Sequence, residues 1–374
     1  MDEPEIIKEI EVIHAAFITL VSAMAWEVKT SQTHTSKLPK KYADMWQDIW
    51  KWIAFLVRED RPRVASVANS VGFILHVMFI HHRQSPRTMV RTMGFLPLMA
   101  DLWASLSISR WRSLKMLTES SVSNPDAYDW SLPAFILRII DVFPRIDSSQ
   151  VRQFLGALGA TPAQMASNCL QSLTNALKDP CLSYLDVSLR IIVIASDKPF
   201  QDFDAALLSQ GSVPLISHLV YRLASHRKPT EATASNSDHH TDLARCFDFS
   251  TCYIFRKVLS TPSLIATVLQ QRIIRALLKC GSYIARFPLT EEYCSGILQA
   301  ILPYLVFPAI VRLIRRCLNS IDYVSYINEM EDVNKPFADN LTLFVNTLNV
   351  REKTYRNWPR FCEAPQVRVG FSSL

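Results

Sequence analysis

A short phrase built on glycine and proline recurs along this otherwise glycine-poor chain. Gly94-Phe95-Leu96-Pro97-Leu98 returns as Gly211-Ser212-Val213-Pro214-Leu215, and Gly159-Ala160-Thr161-Pro162 keeps the Gly-x-x-Pro spacing. A glycine in the left-handed conformation ends one helix without steric cost, and a proline fits the first turn of the next helix. The chain has only 8 glycines in 374 residues, so their use at such junctions, with Gly281 as a further case, predicts stacked helix–turn–helix units.

The composition is that of a folded chain with a large core. Apolar residues make up 49% and charged residues 20% of the sequence, which excludes global disorder. A net charge of +6, from 40 basic and 34 acidic residues, is a weak bias over this length. We therefore expect no nucleic-acid partner, because nucleic-acid binding requires basic residues clustered on one face.

The cysteines indicate a reducing compartment. All 8 occur after residue 168, and their spacings lack the close pairs of a zinc site or a disulfide framework. Residues 1–5 are acidic, unlike the start of a secretory signal. We therefore expect an intracellular protein, either cytoplasmic or nuclear, without a bound metal.

Two apolar stretches, 64–80 and 298–314, have the length of a possible membrane span. Polar residues around Asn69 interrupt the first, and two prolines interrupt the second. Neither offers about 20 clean apolar residues. The sequence therefore predicts buried helices and no membrane partner.

Local signals in several places are typical of helices. Asp147-Ser148-Ser149-Gln150 has the form of a capping box. Trp46 and Trp50, spaced i and i+4, are predicted to pack together in a core. The segment 251–255 has strand-like composition, but helical spacing continues on both sides of it, so we predict a helix there.

The predicted organisation has five parts. Residues 1–59 form N-terminal helices, 60–224 the first half of the helical repeats, and 242–357 the second half. Residues 225–241, which are polar almost throughout, are predicted to be a mobile loop and a soft boundary between the halves. Residues 358–374 form a tail.

One group of arginines is a candidate binding surface. Arg312, Arg315 and Arg316 fall at i, i+3 and i+4 and share a helix face. Together with Arg272 and Arg275 they could form a basic groove for an acidic peptide or a phosphate. The alternative is a solvated outer face on which the arginines pair with carboxylates.

Motifs of catalysis are absent from the sequence. It contains no phosphate-binding glycine loop, no Gly-x-Ser-x-Gly, no His-Glu-x-x-His and no dinucleotide fingerprint. We therefore expect no catalytic or cofactor-binding residues and no enzyme. Cysteine and histidine side chains that meet only in space stay open as an alternative.

The C-terminal third resembles a known family. Ile301-Leu302-Pro303-Tyr304-Leu305-Val306-Phe307-Pro308-Ala309-Ile310-Val311-Arg312 resembles the helix pair near the end of the armadillo-like region of fungal MYND-type zinc-finger proteins. Thr261-Pro262-Ser263-Leu264-Ile265-Ala266-Thr267-Val268-Leu269 resembles the preceding repeat. A helix from about Phe337 to Tyr355 then leads to Trp358-Pro359-Arg360-Phe361-Cys362, where the family's zinc finger opens. The resemblance implies an all-α, armadillo-like solenoid.

The zinc finger itself is not matched. Cys362 is followed by Glu363-Ala364-Pro365-Gln366-Val367 without a second cysteine, and structural zinc needs four ligands. The family's metal-binding residues are therefore not carried over, and zinc is expected only in a longer form that restores the finger. Either 358–374 is the start of a lost or shortened finger, or Cys362 is an ordinary tail residue.

These observations favour a non-enzymatic protein-interaction scaffold that binds a protein or peptide. One alternative is a helical ligand-binding or enzymatic domain with an interhelical pocket. Another is a nonfunctional truncation product.

Overall fold

The computed structural model describes an all-α protein. It describes residues 12, 15–16, 19–20, 22–24, 44–59, 71–72, 74–76, 78, 85–105, 135–136, 138–140, 147–178, 182–197, 200–225, 237–285 and 287–357. Because no β-strand occurs in these ranges, the predicted all-α class is confirmed for them. The chain divides into two compact units, Met1–Gln210 and Gly211–Leu374.

The first unit contains a helix that is buried on nearly all sides. Its described helices are α1 (Trp46–Glu59), α2 (Ser85–Arg91), α3 (Phe95–Ser105), α4 (Ser148–Leu158), α5 (Pro162–Lys178), α6 (Leu182–Asp197) and α7 (Gln201–Ser209). Helix α3 packs on α4, and α5 packs on α4, α6 and α7. Residues 189–195 of α6 are buried throughout, because this part of the helix is apolar nearly all round. Arg190, the cation among them, pairs with Asp186 over 2.9 Å.

The second unit contains both long and short helices, connected by short turns. They are α8 (Ser212–Ala224), α9 (Ser237–Ser260), α10 (Ile265–Gln270), α11 (Ile273–Leu278), α12 (Gly281–Ile284), α13 (Pro288–Ile301), α14 (Pro308–Leu318), α15 (Tyr323–Val333) and α16 (Lys335–Asn357). Two 3₁₀ turns, Pro262–Leu264 and Leu302–Val306, precede α10 and α14. The predicted helix at 251–255 is confirmed, since it lies within α9.

Helices of the second unit form two rows. In one row α9 packs on α13 and α13 packs on α16; in the other, α8 packs on α10 and α11, and these pack on α14. Contacts of α8 with α9 and of α14 with α16 join the rows. Polar contacts reinforce the joints: the hydroxyls of Ser212 and Tyr253 are buried and lie 2.7 Å apart, and Tyr283 donates to the Leu223 carbonyl over 2.7 Å.

The glycines of the recurring phrase behave in two ways. Gly94 and Gly211 have φ of 80° and 82°, so the predicted left-handed junctions are confirmed. Gly159, with φ 174° and ψ 148°, is extended, and the prediction was wrong there. Glycine is needed at that position because a Cβ atom would lie 2.7 Å from the backbone nitrogen of Met165. Gly281 was also predicted wrongly: it begins helix α12 and lacks a positive φ.

Two predicted local contacts are confirmed. Asp147 and Gln150 form both hydrogen bonds of a capping box at the start of α4. The rings of Trp46 and Trp50 stack with centroids 5.9 Å apart, and both side chains are buried. Trp46 also donates to the Thr92 hydroxyl over 2.8 Å.

The polar segment predicted as a loop over 225–241 is helical in its last part. Residues 237–241 belong to α9, because polarity by itself does not end a helix. Residues 226–236 and the tail 358–374, with Cys362, lie outside the described residues. The division between the compact units falls at Gln210/Gly211, so α8 groups with the second unit, whereas the predicted boundary lay at 225–241.

A membrane-spanning helix needs about 20 mostly apolar residues. Within the described ranges, none is both long and apolar enough to cross a bilayer.

The left-handed junction at Gly211 has a measurable cost of substitution. We expect Gly211→Ala to lower the free energy of unfolding by about 1–2 kcal/mol, because a Cβ atom disfavours the left-handed conformation. Its surroundings are open, with the Pro214 ring 3.7 Å from an added Cβ, so the cost is conformational. Urea denaturation measures the change.

Gly156 provides the matched control. It is exposed inside α4, and an added Cβ meets nothing within 4 Å. Gly156→Ala should therefore raise the free energy of unfolding by about 0.5–1 kcal/mol. Changes of the same sign in both variants would contradict the assignment of Gly211 as a conformational requirement.

Candidate anion-binding site

The five arginines of the predicted basic face differ in whether a carboxylate pairs with them. Arg315 of α14 forms an ion pair with Glu352 of α16, with 2.6 Å between Nε and Oε2, and donates from Nη2 to Asn349. The Nε–H does not align with an acceptor, so the Glu352 contact is an ion pair and not an aligned hydrogen bond. Arg315 thus follows the carboxylate-paired alternative and links α14 to α16.

Glu352 lies between two arginines. Arg356 approaches its Oε1 to 2.6 Å. Burial raises the pKa of Glu352, but the hydrogen bond from Arg356 and the charge of Arg315 outweigh it, so the pKa lies below its ordinary value. The carboxylate therefore stays ionised at neutral pH and keeps Arg315 neutralised.

Arg312 and Arg316 lie on the exposed side of α14. The Nε of Arg312 donates to the Pro308 carbonyl of its own helix over 3.3 Å. Within the described part of the chain, neither arginine has a carboxylate at ion-pair distance. Among the described residues these two positive charges are therefore uncompensated.

Arg272 and Arg275 meet two side chains from other helices. We call Tyr221, Arg272, Arg275 and Cys317 the Arg272 cluster. Tyr221 comes from α8, Arg272 from the turn before α11, Arg275 from α11 and Cys317 from α14. The Nη1 of Arg272 donates to the Tyr221 hydroxyl over 3.4 Å, and its Cζ lies 5.6 Å from the centroid of that ring.

Arg272 and Arg275 both change the pKa values of the same two side chains, Tyr221 and Cys317. The hydrogen bond from Arg272 lowers the pKa of Tyr221 most, burial opposes it, and the charge of Arg275 lowers it further. Burial raises the pKa of Cys317, while the charges of Arg272 and Arg275 oppose that rise. Two guanidinium groups therefore concentrate positive potential between α8 and α14.

This positive charge is not compensated by the described part of the protein. No carboxylate in these ranges lies at ion-pair distance from Arg272 or Arg275. The buried Nε of Arg275 also finds no hydrogen-bond acceptor there. An arginine without its anionic partner is the residue type that binds carboxylate or phosphate groups.

The backbone of Arg272 is in the left-handed conformation, with φ 62° and ψ 31°. It is the only non-glycine residue with positive φ in the described ranges. Gly211 adopts nearly the same angles, φ 82° and ψ 30°. An arginine there costs about 1–2 kcal/mol relative to a relaxed backbone, and such strain persists typically at functional sites.

A second polar cluster lies between α9 and α13. Thr290 donates to Asp248 over 2.7 Å, and burial raises the pKa of this carboxyl. Burial also raises the pKa of Cys252 to about 11 and the pKa of Cys294, which contacts Cys280, well above its ordinary value. These thiols stay protonated at neutral pH, whereas a catalytic cysteine requires a lowered pKa.

In the residues that the structure describes, no group of three or more His, Cys, Asp or Glu is arranged to hold a metal ion.

Two features of the Arg272 cluster were missed in the sequence. Tyr221 is 51 residues from Arg272, and no local pattern connects them. The left-handed turn at Arg272 contains no glycine, so the phrase that identifies Gly94 and Gly211 is absent. The one signal available in the sequence was a pair of short apolar segments separated by Gln271-Arg272, which indicates a turn between two short helices.

Comparison with known proteins identifies no relative. No family model matches the chain, and neither a curated protein nor a solved structure matches it.

The hydrogen bond between Arg272 and Tyr221 can be tested in solution. We expect Arg272→Asn to raise the pKa of Tyr221 towards its ordinary value of 10.0, because the variant removes the donor and its charge. The chemical shift of the tyrosine Cζ carbon, followed against pH in ¹³C-labelled protein and assigned with Tyr221→Phe, reports this pKa.

Arg91 supplies the control for net charge. It is exposed at the end of α2 in the first unit, and Arg91→Gln should leave the Tyr221 titration unchanged. An identical Tyr221 pKa in the wild type and Arg272→Asn would refute the contact.

Asp248 should lower stability at neutral pH. The unfolded carboxyl has a pKa of about 3.9, and burial raises the folded pKa above its ordinary value. The folded state therefore binds the proton more tightly, and stability falls as pH rises through the window above the unfolded pKa. Asp248→Asn keeps an acceptor for Thr290 without the charge, so we expect it to be more stable than wild type at pH 7.

Urea denaturation at pH 7 and pH 4 measures this difference. The gain in Asp248→Asn should shrink as pH falls towards the unfolded pKa. Asp339→Asn, on the exposed side of α16, should differ little from wild type at either pH. A loss of stability in Asp248→Asn at pH 7 would show that the ionised carboxylate is stabilising.

Proposed function

We propose that this protein is a non-enzymatic, helical-repeat scaffold that binds an acidic segment of a partner protein at the Arg272 cluster. The observation that carries the proposal is the convergence of Arg272 and Arg275 on Tyr221 without a carboxylate among the described residues. The partner is defined by this chemistry: it presents aspartate or glutamate side chains.

The arrangement of helices in the second unit supports a scaffold. Alternate helices pack side by side in two rows, as helix pairs do when they stack in repeat proteins. Each repeat then contacts only its neighbours and leaves an extended surface for binding. An armadillo-like solenoid, related to the repeat region of fungal MYND-type proteins, is part of this proposal.

The chemistry of the cluster supports a carboxylate-bearing ligand. A guanidinium group offers two parallel N–H donors that match the two oxygens of a carboxylate. Tyr221 accepts from Arg272, which leaves its own hydroxyl proton for a ligand oxygen. Two adjacent cations repel each other until an anion binds between them.

The buried thiols do not favour the enzymatic alternative. Cys252 and Cys294 are held in the protonated form by burial, and protonated thiols are poor nucleophiles. The scaffold hypothesis is favoured by the charges of Arg272 and Arg275, which no described carboxylate compensates. The enzymatic alternative would need a thiol with a lowered pKa, and neither of these cysteines has one.

Binding of short acidic peptides tests the proposal. The probe is a fluorescein-labelled peptide of eight glutamates, and its glutamine counterpart is the neutral control. Anisotropy at low and high NaCl should show binding of the acidic probe only, weakened by salt because screening acts on exposed charges. Arg275→Gln should weaken binding roughly tenfold, as expected when one charge-assisted contact is lost.

Arg272→Asn separates binding from folding. Asparagine tolerates the left-handed conformation better than arginine, so the variant should unfold at higher urea while its affinity falls roughly tenfold. Arg91→Gln removes the same charge elsewhere and should bind as the wild type does.

Two outcomes would overturn the proposal. Affinities of Arg272→Asn and Arg275→Gln equal to that of Arg91→Gln would show that net charge alone attracts the probe. Binding of inorganic phosphate to the wild type, without binding of the glutamate peptide, would assign the site to a free phosphate group instead.

A further inference from the structure

An exposed apolar segment lies immediately before and at the start of helix α14. Val306, Phe307, Pro308 and Ala309 are exposed in succession, with 48% of Val306 and 53% of Phe307 accessible to solvent. The Phe307 ring lies 6.2 Å from that of Tyr304. A run of four exposed apolar residues is unfavourable in water unless it has a binding role.

The segment is held in place by its neighbours. It follows the 3₁₀ turn Leu302–Val306, whose Leu305 is fully buried. Tyr355 of α16 donates to the Leu305 carbonyl over 3.0 Å, and Pro308 occupies the first turn of α14. Because the backbone is fixed on both sides of Phe307, binding there would require little ordering.

Cationic side chains border the segment on one side. Arg312 donates from Nε to the Pro308 carbonyl over 3.3 Å, which holds its guanidinium group near Pro308. Arg316 follows one helical turn later on the same exposed side of α14. In the described ranges neither has a carboxylate at ion-pair distance, whereas Arg315 between them is already neutralised.

We infer that residues 306–309 and Arg312 form a docking surface for an amphipathic segment of a partner protein. The partner's segment places an apolar side chain against Phe307. It places a carboxylate against Arg312, about one helical turn away. Charge complementarity selects this occupant, because an apolar surface with an arginine side chain at its edge favours ligands that combine an apolar group with a negative charge. The inference does not depend on the Arg272 cluster.

A selection from a random library of twelve-residue peptides, displayed on phage and panned against the full chain, tests the inference. Enriched peptides should combine an aromatic or large aliphatic residue with Asp or Glu within four positions. Synthetic copies of the enriched peptides then serve as probes for the affinity of each variant.

Phe307→Ser should weaken the binding of these peptides at least tenfold, because the variant lacks the large apolar side chain that a bound peptide would cover. Arg312→Gln should weaken them by a smaller factor and remove part of the salt dependence. Leu343→Ser is the matched control: Leu343 is exposed to 58% on α16, and its substitution should not change the affinity. Arg272→Asn should also leave it unchanged.

The outcomes distinguish this surface from other occupants. Failure of any peptide to enrich, or enrichment without an acidic residue, would overturn the inference, as would equal affinities of Phe307→Ser and Leu343→Ser. Sedimentation of the wild type as a dimer that Phe307→Ser dissociates would also overturn it, because a second copy of the chain would then cover the segment. Phe307 is exposed and is the N-cap residue of α14, where serine is a favoured residue, so its variant should unfold at a urea concentration no lower than that of the wild type.

Discussion

The left-handed backbone of Arg272 is the local constraint on which the candidate site depends. Helices α10 and α11 are short, both pack against α8 and α14, and only Gln271 and Arg272 separate them. A glycine would make this turn without strain, as Gly211 does before α8. With arginine in its place, the packing of two helices holds an unfavourable conformation and directs a guanidinium group over the Tyr221 ring. The strain is thus linked to a charge that no described carboxylate neutralises.

Helix α14 shows how three arginines within five residues acquire different roles. Arg315 lies towards α16 and is paired with Glu352, so it contributes to the contact between the two rows. Arg312 and Arg316 lie on the solvent side and keep their charge available. Burial raises the pKa of Cys317 on the same helix, and the charges of Arg272 and Arg275 oppose this rise. Helix α14 therefore contributes residues to the Arg315–Glu352 ion pair, to the apolar segment at residues 306–309 and to the Arg272 cluster.

Features that depend on neighbours within one or two helical turns were predicted well from the sequence. The capping box at Asp147, the stacked pair Trp46 and Trp50 and the left-handed Gly94 and Gly211 all follow from spacings of three to five residues. The failures have physical causes. Gly159 is required by the close approach of Met165 and not by a positive φ. The start of α9 inside a polar segment was missed because polarity does not by itself end a helix.

The arginines mark the limit of what the sequence by itself could establish. Their residue types and helical spacing identify five candidate positions, because side chains on one helix are related by its regular geometry. What each arginine meets depends on groups brought together by folding: Arg315 pairs with Glu352 of another helix, whereas Arg272 meets the neutral Tyr221, 51 residues away. No local pattern encodes these partners, since they are set by how helices α8, α11, α14 and α16 pack. The sequence therefore determines where positive charge can occur, and tertiary packing decides which of it remains free to bind.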